Sequence, residues 1–193
     1  MAFDGFFIRK LVEEIEENIL GAHINKINNI STDEFILTIR KRKNFKLLLS
    51  ASSSSSRFQL TKNTYENPNM PSNFCTVLRK YLIGGIIQNI EQINNDRIIV
   101  FKIKNFDELG YEKYYYLITE LMGKHSNIIL TDDNKVIIES LKNSYSIDYK
   151  RSTIANMNYI LPPTESKYNP FDFDSYKNLT FDYSDKRFLM KNF

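Results

Sequence analysis

An α+β fold, an antiparallel β-sandwich with flanking helices, is what this 193-residue sequence predicts. Two segments repeat apolar residues every third or fourth position, as a helix with one buried face requires. Around them lie many short segments rich in Ile, Leu, Phe and Tyr and bounded by Asn, Ser, Asp and Gly, the composition of strands and their turns. The early strands follow one another too closely for crossover helices, so they pair antiparallel. So many half-apolar strands need a second layer to cover them, hence a sandwich.

The first helix runs from about Asp4 to Leu20, with Phe7 or Ile8, Leu11, Val12, Ile15 and Ile19 along one stripe and Gly21 as its stop. Glu13, Glu14, Glu16 and Glu17 make the other face acidic, so it belongs in water and repels nucleic acid. Strands follow at "HINKINNI", "EFILTIRK", "FKLLLSA" and "RFQLTK". The serine run Ser52 to Ser56 falls between the last two and reads as a flexible loop, because it lacks the glycines of a phosphate cradle. A second helix is written in "PSNFCTVLRKYLIGG": Pro71 and Ser72 open it, Phe74, Val77, Leu78, Tyr81 and Leu82 form its stripe, and Gly84 with Gly85 closes it. Cys75 rides on this helix as a small, partly buried hydrophobe.

Next, "EQINNDRIIVFKIK" reads as two strands joined by a polar turn that carries Asp96 and Arg97. Three further strands fill "EKYYYLITELMGKHSNIILTDDNKVIIESLK", broken at Gly123 and turned at "DDNK". From Pro162 and Pro163 the texture becomes aromatic and turn-rich. Residues 1–163 are therefore expected to form one domain, and residues 164–193 to begin a following helical region that breaks off at Phe193, with the natural protein continuing.

With 42% hydrophobic and 25% charged residues, the chain reads as globular and has room for a substantial core. A formal charge of only +3 leaves any polyanion binding to local basic patches. No run approaches the roughly 20 apolar residues that span a bilayer, and "MAFDGFFIRK" lacks the pattern of a secretory signal, so a cytoplasmic protein without membrane association is expected. A single cysteine excludes an internal disulfide. The fingerprints GxGxxG, GxxxxGK(S/T) and HExxH are missing, and two histidines with one cysteine make a poor ligand set, so neither cofactor nor metal is expected. His125 and Ser126 are neighbours that diverge in direction, which argues against a base and its nucleophile. No catalytic residue is assigned, and the chain is not read as an enzyme.

The candidate binding residues are charged. Asp96 and Arg97 sit side by side, and neighbours on an extended chain point to opposite faces, so this pair is expected not to neutralise itself. Ordinary turn chemistry is the alternative use for such a pair. Lys41, Arg42 and Lys43 cluster at a strand end, and Arg79 with Lys80 on the second helix. Solvated charge is the common explanation for such groups and phosphate contact the other. Lys124, His125, Ser126 and Asn127 read as polar groups bordering a groove that could take an anion.

The blocks "FDGFFIRKLVEEI", "KLLLSA", "YENPNMPSNFCTVLRKYLIGGII", "IEQINNDRIIVFKI", "ELMGKHSNIILTD" and "YILPP" occur in this order over roughly residues 2 to 163. Together they resemble the N-terminal domain of the NFACT family. The resemblance implies a non-catalytic, ribosome-associated factor in ribosome quality control. Such a factor binds a large ribosomal subunit that still carries peptidyl-tRNA and recruits aminoacyl-tRNA for template-free extension of the stalled chain, with alanine in bacteria. Alanine tRNA and the large subunit are then the expected partners, and ribosomal RNA a contact. The family's Asp-Arg pair for tRNA engagement falls on Asp96 and Arg97, with Arg97 suited to phosphate or a base edge and Asp96 to an exocyclic amine or ribose hydroxyl. The resemblance also implies a fold similar to the N-terminal domain of formamidopyrimidine-DNA glycosylases. Those enzymes use an N-terminal proline and a following glutamate where this chain begins Met1-Ala2-Phe3, so base excision does not carry over. Bacterial members are also labelled fibronectin- or fibrinogen-binding, which makes a surface adhesin the competing expectation.

Overall fold

The computed structural model describes residues 4–66, 68, 70–147, 151–163 and Asp174. The expected region 164–193 lies outside the described residues except for Asp174. All elements below belong to the compact unit that ends at Ile160.

Helix α1 spans Gly5–Ile19. Asp4 starts it by accepting the Phe7 N–H at 2.8 Å, which satisfies one of the donors a helix leaves bare. Ile8, Val12, Ile15 and Ile19 are its buried stripe. Four strands follow: β1 (His23–Asn29), β2 (Glu34–Arg40), β3 (Asn44–Ser50) and β4 (Arg57–Thr61). Helix α2 (Asn73–Leu82) starts at Ser72, whose hydroxyl accepts the Cys75 N–H at 3.2 Å. Then come β5 (Ile86–Gln92), β6 (Ile98–Phe106), β7 (Glu112–Glu120), β8 (Asn127–Thr131) and β9 (Ile137–Ser140), with a two-residue pair β10 (Tyr145–Ser146) and β11 (Arg151–Ser152).

The α+β class and the antiparallel pairing are as expected. The two facing sheets of a sandwich are replaced, among the described residues, by one continuous nine-stranded sheet, β4-β3-β2-β1-β5-β6-β7-β8-β9, beside which β10 and β11 form a two-stranded pair. The seam is short. β1 and β5 pair only where they begin, at His23 and Ile86, through bonds such as Ile24 N–H to the Gly85 carbonyl at 2.9 Å and Ile87 N–H to the Ala22 carbonyl at 3.0 Å. Gly85 belongs there because a Cβ on it would meet Ile103 Cγ2 at 2.7 Å. Beyond the seam each strand carries an irregularity in register, at Ile24/Lys26 and Ile87/Asn89, and such bulges bend and twist a strand. The two halves consequently share one core, in which Ile27, Phe35, Leu37 and Leu49 join Phe101, Leu117, Ile128 and Leu130 under the apolar faces of both helices. On its other face the β6–β9 half carries a second, smaller cluster of Ile98, Val100, Ile118, Ile129 and Ile137, against which Tyr159 packs.

Candidate functional site

The β5–β6 turn, Ile93 to Arg97, is held by the Asp96 N–H on the Ile93 carbonyl and by the Ile93 N–H on the Ile98 carbonyl, both at 2.9 Å. Asn94 and Asn95 take φ of 52° and 54°, the left-handed region that asparagine tolerates better than most residues. Backbone curling of this kind corrects one expectation. The chain is not extended at positions 96 and 97, so the two side chains do reach each other: Asp96 Oδ1 accepts the Arg97 N–H at 2.7 Å and lies 3.8 Å from Arg97 Nε. The ion pair is loose. With the Arg97 side chain 44% exposed and that of Asp96 26% exposed, it is worth about 1 kcal/mol or less, which an incoming phosphate can outbid.

The turn is rigidly mounted. Gln92 Nε2 donates to the Gly5 carbonyl and to the Asp96 carbonyl, each at 2.9 Å, tying the start of α1 to the turn. The two backbones are so close that a Cβ on Gly5 would lie 2.2 Å from the Asn95 carbonyl oxygen. On the opposite side the Leu121 N–H donates to the Arg97 carbonyl at 2.9 Å. Neither Gly5 nor Gln92 was singled out from sequence, although a glycine in the first turn of a helix, where alanine folds better, is a signal of close approach.

Just past β7 comes a short 3₁₀ turn, Gly123–His125. It falls at the same end of the sheet as the β5–β6 turn, because Glu120 pairs with Ile98. Lys124 and His125 are exposed there. Ser126 and Asn127, expected beside them at a groove, are buried instead. The Ser126 hydroxyl accepts the Met122 N–H at 2.8 Å, and the Asn127 side-chain amide exchanges hydrogen bonds with the Lys142 backbone at 2.8 and 2.9 Å, so both close the turn. Glu120, also at this end, is buried and pairs with the Arg151 guanidinium while accepting the Tyr159 hydroxyl at 2.8 Å. Burial pushes the Glu120 carboxyl above the usual carboxylate range, against the pull of Arg151, and pushes the Tyr159 phenol well above its ordinary value. This cluster pins residues 151–160 over the second apolar cluster. Sequence reasoning missed it because its members lie about 30 to 40 residues apart.

The remaining candidates scatter. Lys41, Arg42 and Lys43 form the exposed β2–β3 turn, at the far end of the strands from Asp96. Arg79, a candidate phosphate contact by sequence, is committed to the fold instead: Nε donates to the Ile27 carbonyl at 2.7 Å and Nη2 to Asn28 Oδ1 at 3.0 Å, fastening α2 to β1. Lys80 is exposed, 4.0 Å from Glu108 and over the Tyr81 ring. Cys75 is fully buried, and burial pushes its thiol up. Among the described residues no group of three His, Cys, Asp or Glu could hold a metal ion, and no helix is long and apolar enough to cross a membrane.

The profile of a family described as NFACT N-terminal and middle domains matches residues 4–193. The "Rqc2 homolog RqcH" of Bacillus subtilis is 45% identical over 175 residues, covering 89% of this chain and 31% of that protein. The protein of the same name from Streptococcus suis is 44% identical over 174 residues, covering 89% and 32%. A solved structure, the N-terminal part of the fibronectin/fibrinogen-binding protein from Streptococcus suis, overlays with a TM-score of 0.85 at 44% identity, covering 88% of this chain and 65% of that one. The chain thus spans about a third of the length of the curated relatives it matches.

Proposed function

Since this chain belongs to the NFACT family, we propose that it is the tRNA-binding part of a cytoplasmic ribosome quality-control factor. In this reading the factor engages obstructed large subunits and recruits aminoacyl-tRNA, alanyl-tRNA in bacteria, for template-free tailing of the stalled chain. The reading is supported by the names of the curated relatives, and the glycosylase-like fold is carried with it. Its mechanism is non-catalytic: the domain grips RNA, and bond formation belongs to the ribosome.

One observation carries the proposal. Asp96 and Arg97 stand on a turn whose backbone is fixed from both sides; the Asp96 carboxylate accepts the Arg97 backbone N–H, and the Arg97 guanidinium is held by a loose, solvent-facing pair with it. A guanidinium carried on a fixed backbone makes charge-assisted bonds to phosphate or to a base edge, and the carboxylate beside it discriminates for amine or hydroxyl donors. Lys124 and His125 extend the same end of the sheet. A filter-binding comparison of wild type with Asp96→Ala and Arg97→Ala tests this. A bond to a charged group is worth about 1.5–3 kcal/mol, so Arg97→Ala should weaken tRNA binding by about 10- to 150-fold. Equal tRNA retention by all three proteins would defeat the assignment.

A second reading is favoured by the description of the solved relative, which names fibronectin and fibrinogen. As a surface adhesin the chain would bind those proteins independently of Asp96 and Arg97. Solid-phase binding to both ligands, with cell fractionation, separates the readings: a pool at the surface and none sedimenting with ribosomes supports adhesion.

A further inference from the structure

The β1–β4 half of the sheet has an outer face that the proposed tip does not use, and its charge is one-sided. Across all four strands the sole acidic residue is Glu34, already paired with Arg57 at 3.1 Å, at the end of the strands near the serine loop. Toward the other end the registers align Lys26 with Thr38 and Thr38 with Lys46, then His23 with Arg40. Immediately beyond comes the turn Lys41-Arg42-Lys43, with every residue exposed, and Lys62 follows β4. Among these lysines and arginines lies a shallow depression of about 220 Å³, lined by Lys26, Asn28, Thr38, Lys46, Thr64 and Tyr65 with Ile36 as its one aliphatic residue. Lys46 Nζ donates to the Asn63 carbonyl at 3.0 Å, which places its charge at the rim.

We propose that this face is a second RNA-binding surface, one that holds the phosphodiester backbone of helical RNA without reading its bases. It rests on the RNA-binding reading above and adds a separate surface to it. Charge complementarity selects the occupant. Cations unopposed along a row of strands, interleaved with threonine, asparagine and tyrosine groups that hydrogen-bond phosphate and sugar oxygens, match a backbone of regularly spaced anions. An anionic membrane would demand exposed apolar side chains for insertion, and here the aliphatic residues of the face, Ile36 and Leu48, are buried. The His23–Arg40 end of this face and the tip lie at opposite ends of β5, whose first residue pairs at His23 and whose last precedes the turn at Asp96. Seven residues of strand correspond to about 20 Å, so the two surfaces grip different stretches of one RNA, or two RNAs.

Salt dependence is the readout, since each phosphate contact contributes a slope of about 0.7–0.9 in log affinity against log salt. The probes are a purified tRNA, a short RNA duplex with the sequence of a ribosomal RNA helix, and vesicles containing phosphatidylserine. Each is titrated against this chain between about 50 and 200 mM KCl, the range over which such slopes are measured. The triple variant Lys41→Gln, Arg42→Gln, Lys43→Gln changes exposed turn residues alone, and the double variant Lys26→Gln, Lys46→Gln removes the rim. The triple variant should lose about 2.1 to 2.7 units of slope, three contacts at 0.7–0.9 each, so the loss of RNA affinity between the two salts shrinks roughly 20- to 40-fold. Arg97→Ala should change the slope by about 1 unit or less. The tRNA and duplex arms tell whether one RNA or both use the face. Wild-type slopes in both multiple variants overturn the inference, and if Arg97→Ala still weakens tRNA binding the tip reading survives that outcome. A flattened slope with unaltered Arg97→Ala affinity supports this face and removes the tip. Loss of vesicle binding with unchanged RNA slopes overturns the inference in favour of a membrane surface.

Discussion

Adding one methyl group at Gly5 puts the mounting of the charged turn to a severe test. In Gly5→Ala the new carbon would stand 2.2 Å from the Asn95 carbonyl oxygen, whereas real Cβ atoms stay at least 3.0 Å from their neighbours. Either α1 or the turn must therefore retreat by about 0.8 Å. Helix propensity alone favours alanine by up to about 1 kcal/mol, while forced overpacking costs about 1–3 kcal/mol. A net loss of about 1 kcal/mol lowers Tm by about 2–4 °C in a chain of this size. The same displacement strains both Gln92 bonds and moves Arg97, so tRNA affinity should fall by about tenfold, approaching the effect of Arg97→Ala. Asp4→Ala is the control: it removes the helix cap, costing about 0.5–2 kcal/mol, without placing an atom against the turn. Thermal melts and filter binding on the three proteins decide the matter. If Gly5→Ala melts above wild type and binds tRNA equally well, the contact between α1 and the turn does not position Arg97, and the reasoning fails.

Two further outcomes are expected. Arg79→Ala leaves the Ile27 carbonyl and Asn28 without their guanidinium and should cost about 2–3 kcal/mol, seen as a lower denaturation midpoint, with tRNA affinity intact well below the melt; reduced binding at unchanged stability would mark it as an RNA contact. Glu120→Ala strands Arg151 and should cost about 3–5 kcal/mol. Because the folded carboxyl of Glu120 is raised, its contribution is fully present below the usual carboxylate range and is lost as pH rises through its folded pKa. Wild type should therefore lose stability relative to Glu120→Gln from acid toward neutral pH in denaturant titrations; wild type gaining on Glu120→Gln over that range would show the ionised pair to be the favoured state.

Local rules carried much of the architecture. Helix α1 begins close to the expected Asp4, and β1, β2 and β4 lie within the quoted blocks while β3 starts one residue before its block, because alternating apolar residues and Asn, Ser or Asp turns are written in adjacent residues. The β5–β6 turn was located the same way. Joining β1 to β5 is not legible in the sequence: it depends on main-chain bonds between residues about 60 positions apart, at glycines whose local signal is only that of a helix stop. Arg79 was misjudged for a similar reason, since its partners on β1 come close only after α2 docks. At the candidate site, Asp96 and Arg97 stand out in the sequence as an adjacent charged pair and take an RNA role from a family likeness, yet their mutual contact is not legible there because the turn does not keep the extended backbone of its flanking strands. Gly5, Gln92 and the cluster of Glu120, Arg151 and Tyr159 act through tertiary neighbours that no local pattern names.

A core lined by both halves of one sheet has a bearing on synthesis. While the ribosome is still translating β5 to β9, the first four strands present Ile27, Phe35, Leu37 and Leu49 with nothing yet to cover them on that side. Sequence-distant pairing is slow and leaves sticky intermediates, so the emerging half-shell is most vulnerable to chaperone capture or clumping until residues near Leu130 have left the exit tunnel. Splitting the gene between α2 and β5 should accordingly yield two insoluble pieces that recover only when co-expressed.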